Sequence, residues 1–203
     1  MDVQLHHGDV SGFRLSALQL LGHQVHPAAI AWSAIAPLAG RLAEAGPRGE
    51  VTRLGASVVP RSFLRLTDLA LLHTDPQRFD LLYRLLWRIV HEPRLKDDLG
   101  DYDMQRVRKM AAAVRRELQS LKGSVDFIDV VCEGSSLACG WIDPHFYTTE
   151  AFALGYARSR PETDFMVASP ERCILSRGRA VHHLPPLAAA PRSAQEWLLQ
   201  LAR

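Results

Sequence analysis

Arg106, Arg108, Lys109, Arg115, Arg116 and Lys122 stand in one stretch, MQRVRKMAAAVRRELQSLKG, from Met104 to Gly123, against a single acid, Glu117. Guanidinium and ammonium groups at that density suit phosphate binding. Uncompensated cations repel one another, and a polyanion relieves the repulsion while releasing its counterions. A merely solvated helix face usually mixes signs, with acid–base pairs three or four residues apart. Here the cations from Arg106 to Arg116 all precede the one acid. Arg84 and Arg88, four apart in the preceding segment, extend the run. The candidate nucleic-acid-binding residues are therefore Arg84, Arg88, Arg108, Arg115, Arg116 and Lys122.

Other side chains are weaker candidates for chemistry. Asp143, His145 and Glu150 are close in sequence, as general acid/base groups are, but Asp143 is also placed to cap a helix. The pairs His6–His7 and His182–His183 point to opposite faces of any strand that carries them, so neither is a two-ligand site by itself. No HExxH, P-loop, GxGxxG or GxSxG occurs. The reading is no metal and no cofactor, with catalytic residues unknown. Cys132, Cys139 and Cys173 are odd in number and lack CxxC spacing, which argues against a disulfide framework and for small buried hydrophobes.

The elements that position these residues follow from periodicity. DVQL is a short strand. Ser11 caps a helix carrying Phe13, Leu15, Leu18 and Leu21, stopped by Gly22. The apolar stretch around Trp32 fits a strand or a buried helix equally. Residues 37–57, rich in Gly, Ala and Pro, read as a loop with at most one helical turn. PRSFLRLTDLALLH is helical, with Phe63, Leu66, Leu69, Ala70 and His73 along one side. Asp75 caps the next helix with Pro76 in its first position. That helix runs to about His91 on a stripe of Phe79, Leu82, Tyr83, Leu86, Ile89 and Val90, so Tyr83 and Trp87 are read as core before base-stacking platforms.

EPRLKDDLGDYD is a charged connection, and Asp101 or Asp103 caps the basic helix. Met104, Val107, Ala111, Val114, Leu118 and Leu121 recur at steps of three and four and form its buried stripe. Arg106, Lys109 and Arg116 then face water, while Arg108, Arg115 and Lys122 lie on the boundary, where their stems can line a groove. Beyond Gly123, SVDFIDVV and SLACGWI are strands joined by EGSS. DPHFYTTEAFALGYAR is a helix with Asp143 as N-cap and Pro144 next; TDFMVA, CILS and RAVHHL are short strands. Residues 184–192 are linker-like and precede a short C-terminal helix, SAQEWLLQLAR. Helices followed by a hairpin, a helix and more strands make an α+β fold. The expectation is a single α+β domain over residues 1–203. Its helical N-terminal and central part packs with a small, mainly antiparallel sheet from the C-terminal half.

Several of these stretches together resemble a bacterial family of probable DNA-metabolism proteins. FDLLYRLLWRI, then MAAAVRREL with VDFIDV, then WIDPHF, then MVASPERC match in order and spacing, and FRLSALQLL with VHPAAIAW matches more weakly. Members are encoded beside a radical-SAM protein of DNA modification or repair and are sometimes fused ahead of a uracil-DNA-glycosylase-like domain. The chain departs from the family pattern at polar positions. Gln119, Ser120, Asp126 and Ile128 stand where a His and basic residues are expected. His145, Phe146 and Tyr147 replace an acid and paired histidines, and Asp164 and Phe165 replace the Arg and Trp beside SPER. The C-terminus stops soon after Trp197, without the family's aromatic tail. The shared residues are mainly fold-forming, as in a divergent member.

The resemblance implies an accessory protein in DNA metabolism or repair, with DNA and a radical-SAM or glycosylase-like protein as partners. The alternatives are a module docking its basic helix on an acidic protein, and an enzyme acting on a nucleic acid base. A net charge of +2 is too small to steer the whole molecule to DNA, so the binding argument rests on local charge. The longest apolar runs are too short for a bilayer, and the N-terminus lacks the plan of a signal peptide. With the cysteine usage, this leads to an expectation of a reducing, cytoplasmic compartment and no membrane partner.

Overall fold

The DVQL segment and the apolar stretch around Trp32 form two paired strands. The computed structural model describes residues 1–35, 59–92, 95, 100–132, 134–178 and 180–201, without the side chain of Cys132. The loop read at 37–57 and most of the charged connection before Gly100 lie outside these residues. The described chain divides into two compact units, with the division after Arg116.

In the first unit, β1 (Asp2–His6) pairs in parallel with β2 (Ala31–Ile35), Leu5 opposite Ala34. Parallel strands need a crossover, here α1 (Val10–Gly22) and a 3-10 turn at Pro27–Ala29. The Trp32 segment is thus a strand, because β1 offers it a ladder. Asp9, not Ser11, caps α1: its Oδ1 accepts the Gly12 N–H at 2.7 Å. The buried face of α1 is also rotated from the expected one. Phe13, Ala17 and Leu20 are inside, at the four-then-three spacing of one helical stripe, and Leu15 is exposed.

Helix α2 (Arg61–Leu71) ends before His73, whose Nδ1 instead accepts the Asp75 N–H at 3.0 Å. Asp75 in turn accepts the Gln77 N–H at 2.8 Å. It therefore orders the turn ahead of α3 (Arg78–His91), which begins two residues later than Pro76. Helix α3 is wrapped more completely than its expected stripe, because it packs against α1, α2, β2 and the 3-10 turn. Leu81 and Leu85 are buried as well as Phe79, Leu82, Tyr83, Leu86 and Ile89. Buried Arg78 donates to the carbonyls of Leu71 at 3.1 Å and Asp75 at 3.0 Å and lies over the Phe79 ring. It thereby satisfies a carbonyl left open at the end of α2. The long basic helix is α4 (Tyr102–Ser124), and the expected Met104, Val107, Ala111 and Val114 are buried.

The second unit is built on a five-stranded sheet in the order β3 (Phe127–Cys132), β4 (Ser135–Trp141), β5 (Phe165–Ala168), β6 (Cys173–Arg177), β7 (Ala180–Leu184). Only the β4–β5 pairing is parallel; the other pairs are antiparallel. Gly134, at φ 79°, supplies the left-handed turn residue between β3 and β4. All of β5 is buried because the sheet is covered on both faces. Phe165 and Val167 face a core with Phe152 and Ala153 of α5 (Thr149–Ser159). Met166 and Ala168, on the opposite side by strand alternation, face Trp197 of α6 (Ala194–Leu201).

Helix α5 starts at Thr149, not at Asp143. The intervening loop is pinned by Glu117, whose carboxylate accepts the N–H groups of His145 at 2.7 Å and Phe146 at 3.2 Å and the Thr148 hydroxyl at 2.7 Å. Glu117 thus takes the backbone donors that Asp143 would have to accept as an N-cap. The α+β class, with a mainly antiparallel C-terminal sheet, is as expected. Trp197 is the largest fully buried side chain on the α6 side of the sheet and is only 1% exposed. Trp197→Ala should lower stability by about 3–5 kcal/mol, read as a fall in the denaturant midpoint.

Candidate functional site

The basic helix starts from acids. Asp101 is its N-cap: Oδ1 accepts the Met104 N–H at 2.8 Å. Its other oxygen takes Arg88 Nη2 at 2.7 Å. Asp103 receives Arg84 in a fork, Nε at 2.9 Å and Nη2 at 3.1 Å, and lies 3.5 Å from Arg88 Nη1. Bidentate geometry of this kind makes a firmer pair than a single contact. Arg106 donates to Asp75 at 2.6 Å and to Gln77 Oε1 at 3.1 Å.

These pairs shift the acids. Burial raises the Asp101 carboxyl, but hydrogen bonds from Arg88 and the Met104 N–H outweigh it and hold the group below the usual carboxylate range. Asp75 behaves alike: burial raises it, and Arg106 with the Gln77 N–H brings it below. Arg88 and Arg106 are raised, chiefly by their hydrogen bonds to Asp101 and Asp75.

The six sequence-derived site residues therefore fall into two groups. Arg84 and Arg88 have carboxylate partners on the first turn of α4 and its cap. Arg108, Arg115, Arg116 and Lys122 have no hydrogen-bond or ion-pair partner among the described residues. Lys109 joins this second group. Arg108 is half-buried, while Lys109, Arg115, Arg116 and Lys122 are exposed. Arg115 and Lys122 thus stand further into water than their expected boundary positions, and Arg106, expected in water, is half-buried against Asp75. At 3.6 residues per turn, Arg108, Lys109, Arg115 and Arg116 share an arc of about 120° and a rise of about 12 Å. Glu117 does not neutralise them, because its oxygens are taken by the 145–148 loop.

The other candidates are dispersed. Asp143 and His145 are exposed, and Glu150 pairs instead with Arg172 at 2.7 Å and lies 3.9 Å from His183. No hydrogen bond among the described residues joins Asp143, His145 and Glu150. The SPER turn is structural: the buried Ser169 hydroxyl receives the Thr149 hydroxyl at 3.0 Å and the Arg172 N–H at 3.1 Å, and donates to the Arg172 carbonyl. Cys139 and Cys173 are buried, and burial pushes the Cys139 thiol up to about 12, with Asp129 adding to it, which suits a packing role over a nucleophile. Tyr83 is fully buried and donates to the Val25 carbonyl at 2.7 Å, as its core assignment expects. Among the described residues no helix is long and apolar enough to cross a membrane.

Sequence reasoning missed one feature. A cleft of about 440 Å³ in the first unit has His26, Gln77, Asp80, Arg84 and Arg106 on its polar side. Asp80 and Arg84 are spaced as an ordinary helix ion pair, so nothing in the sequence marked Asp80.

The cap and pairs give a pH-dependent prediction. The folded Asp101 carboxyl titrates below its unfolded value, so its stabilisation is complete above the unfolded value, about 4, and is lost as pH falls through the lower folded one. Asp101→Ala should cost about 1–2 kcal/mol at neutral pH. Asp101→Asn keeps a cap and should flatten the acid limb of stability measured by denaturant titration between neutral pH and pH ~3.

No curated protein and no solved structure matches the chain. A family model does: residues 76–195 match DUF4130, a domain of unknown function. The matched segment takes in α3, the whole basic helix and the five-stranded sheet. With more than half of its length matched, the chain belongs to the DUF4130 family.

Proposed function

We propose that this protein is an accessory of DNA metabolism or repair that holds nucleic acid phosphates along α4. Arg108, Arg115, Arg116 and Lys122 are the contact residues, together with Lys109. The observation that carries the reading is their lack of any carboxylate partner among the described residues, while Arg84, Arg88 and Arg106 on the same two helices have one. Cations left without an internal partner are the ones whose repulsion a polyanion relieves. A rise of about 12 Å from Arg108 to Arg116 spans roughly three to four nucleotides of one strand at 3.4 Å each. Phosphate contacts of this kind position a protein without reading sequence. The resemblance to DNA-metabolism proteins supports the choice of polyanion and suggests a radical-SAM or glycosylase-like protein as the enzyme served.

Arg84 and Arg88 have a smaller part in this scheme, because their charge is already spent on Asp103 and Asp101. The test is fluorescence anisotropy with labelled single- and double-stranded DNA over a salt series. Arg115→Ala with Arg116→Ala should weaken binding to all sequences alike and reduce the duplex salt slope by roughly 2, at about 0.9 per phosphate contact. Arg84→Ala should leave the slope nearly unchanged. No binding by the intact protein at low salt, or no loss in the double variant, rejects the reading. Salt-sensitive retention of an acidic protein that survives nuclease treatment, without DNA binding, assigns the face to a protein partner instead.

A further inference from the structure

In the cleft beside α3 the charged group without a partner among the described residues is an acid, whereas on the basic helix it is a set of cations. Arg84 and Arg106 line it, but Arg84 is forked onto Asp103 and Arg106 is held by Asp75. Asp80 stands four residues before Arg84, where a helix normally forms an ion pair. Because the Arg84 guanidinium is drawn to Asp103, Asp80 has no hydrogen bond or ion pair among the described residues. Of the charged groups that line the cleft, Arg84 and Arg106 are each bound to an acid outside it, Asp103 and Asp75, so Asp80 is the one left without a partner among the described residues. Burial raises the Asp80 carboxyl, opposed only by the nearby charge of Arg84. A half-buried carboxylate in this state gains from any cation that enters. Pro27, Ile30 and Leu81 also line the cleft and give it apolar surface. A volume of about 440 Å³ is within the usual range for small-ligand sites.

We propose that this cleft is a binding site for an aliphatic amine, with the ammonium on Asp80 and the methylene chain along Pro27, Ile30 and Leu81. An ammonium brings three donors and no acceptor, so it suits a lone carboxylate better than a neutral ligand does. The same chemistry is offered by a free polyamine and by a lysine side chain of a partner protein. The site is independent of phosphate binding on α4 and stands or falls separately from it.

Calorimetric titration of the full chain with spermidine, and separately with a blocked lysine-containing tripeptide, tests the inference. Saturable one-to-one binding of at least one probe is expected. Asp80→Asn should weaken it by about tenfold or more, as loss of a charge-assisted contact does. Arg115→Ala with Arg116→Ala should leave it unchanged. Spermidine alone assigns the site to free amines; the tripeptide assigns it to a lysine side chain. A second variant, Ala28→Phe at an exposed position lining the cleft, should block binding without touching the carboxylate. Neither probe saturating, or equal binding by wild type and both variants, overturns the proposal.

Discussion

The ion pairs that tie the start of α4 to α3 set the charge distribution of the first unit. Asp101 and Asp103 favour the helix in three ways. One caps it, both place negative charge where the helix dipole is positive, and both take arginines from α3. Once the acids are spent at that end, the later turns carry cations with nothing among the described residues to balance them. The segregation of charge on α4 is therefore a consequence of how the helix begins.

The single acid further along, Glu117, shows the same economy. It sits one residue after Arg116, yet its oxygens close a loop by accepting the N–H groups of His145 and Phe146 and the Thr148 hydroxyl. Ser169 plays a similar part in the β5–β6 turn, where its hydroxyl serves Thr149 and Arg172. Glu117 lies in the MAAAVRREL stretch and takes its backbone donors from WIDPHF, and Ser169 and Arg172 both lie in MVASPERC. Fold-forming duty accounts for them without a catalytic role, and it directs attention to exposed cations and to the cleft.

The two charged surfaces of the first unit follow from one competition. Arg84 can pair with Asp80 on its own helix or with Asp103 on the next. The fork to Asp103 makes two hydrogen bonds at 2.9 and 3.1 Å, a bidentate geometry firmer than a single contact between helix neighbours. The stronger geometry wins, and Asp80 is left to the cleft. One guanidinium thus neutralises the helix start and, by hydrogen bonding there, leaves Asp80 without a hydrogen-bond partner in the cleft.

The sequence by itself determined what depends on spacing along the chain. The three-and-four repeat from Met104 to Leu121 fixes which side of α4 is buried, and the short apolar runs between turn residues after Gly123 fix the strands and the α+β class. Helix starts were less legible. Ser11 and Asp143 are good capping residues, but Asp9 took the first cap, and Glu117, distant in sequence, took the backbone donors beyond the second. Tertiary structure alone decided which cations remain unpaired, because an ion pair depends on distance in space. Arg84 with Asp103, Arg88 with Asp101 and Arg106 with Asp75 are 13 to 31 residues apart in the chain, and no periodicity connects them. Hydrophobic spacing is repeated many times and so survives as a pattern, whereas each long-range pair occurs once and is visible only after the chain has folded.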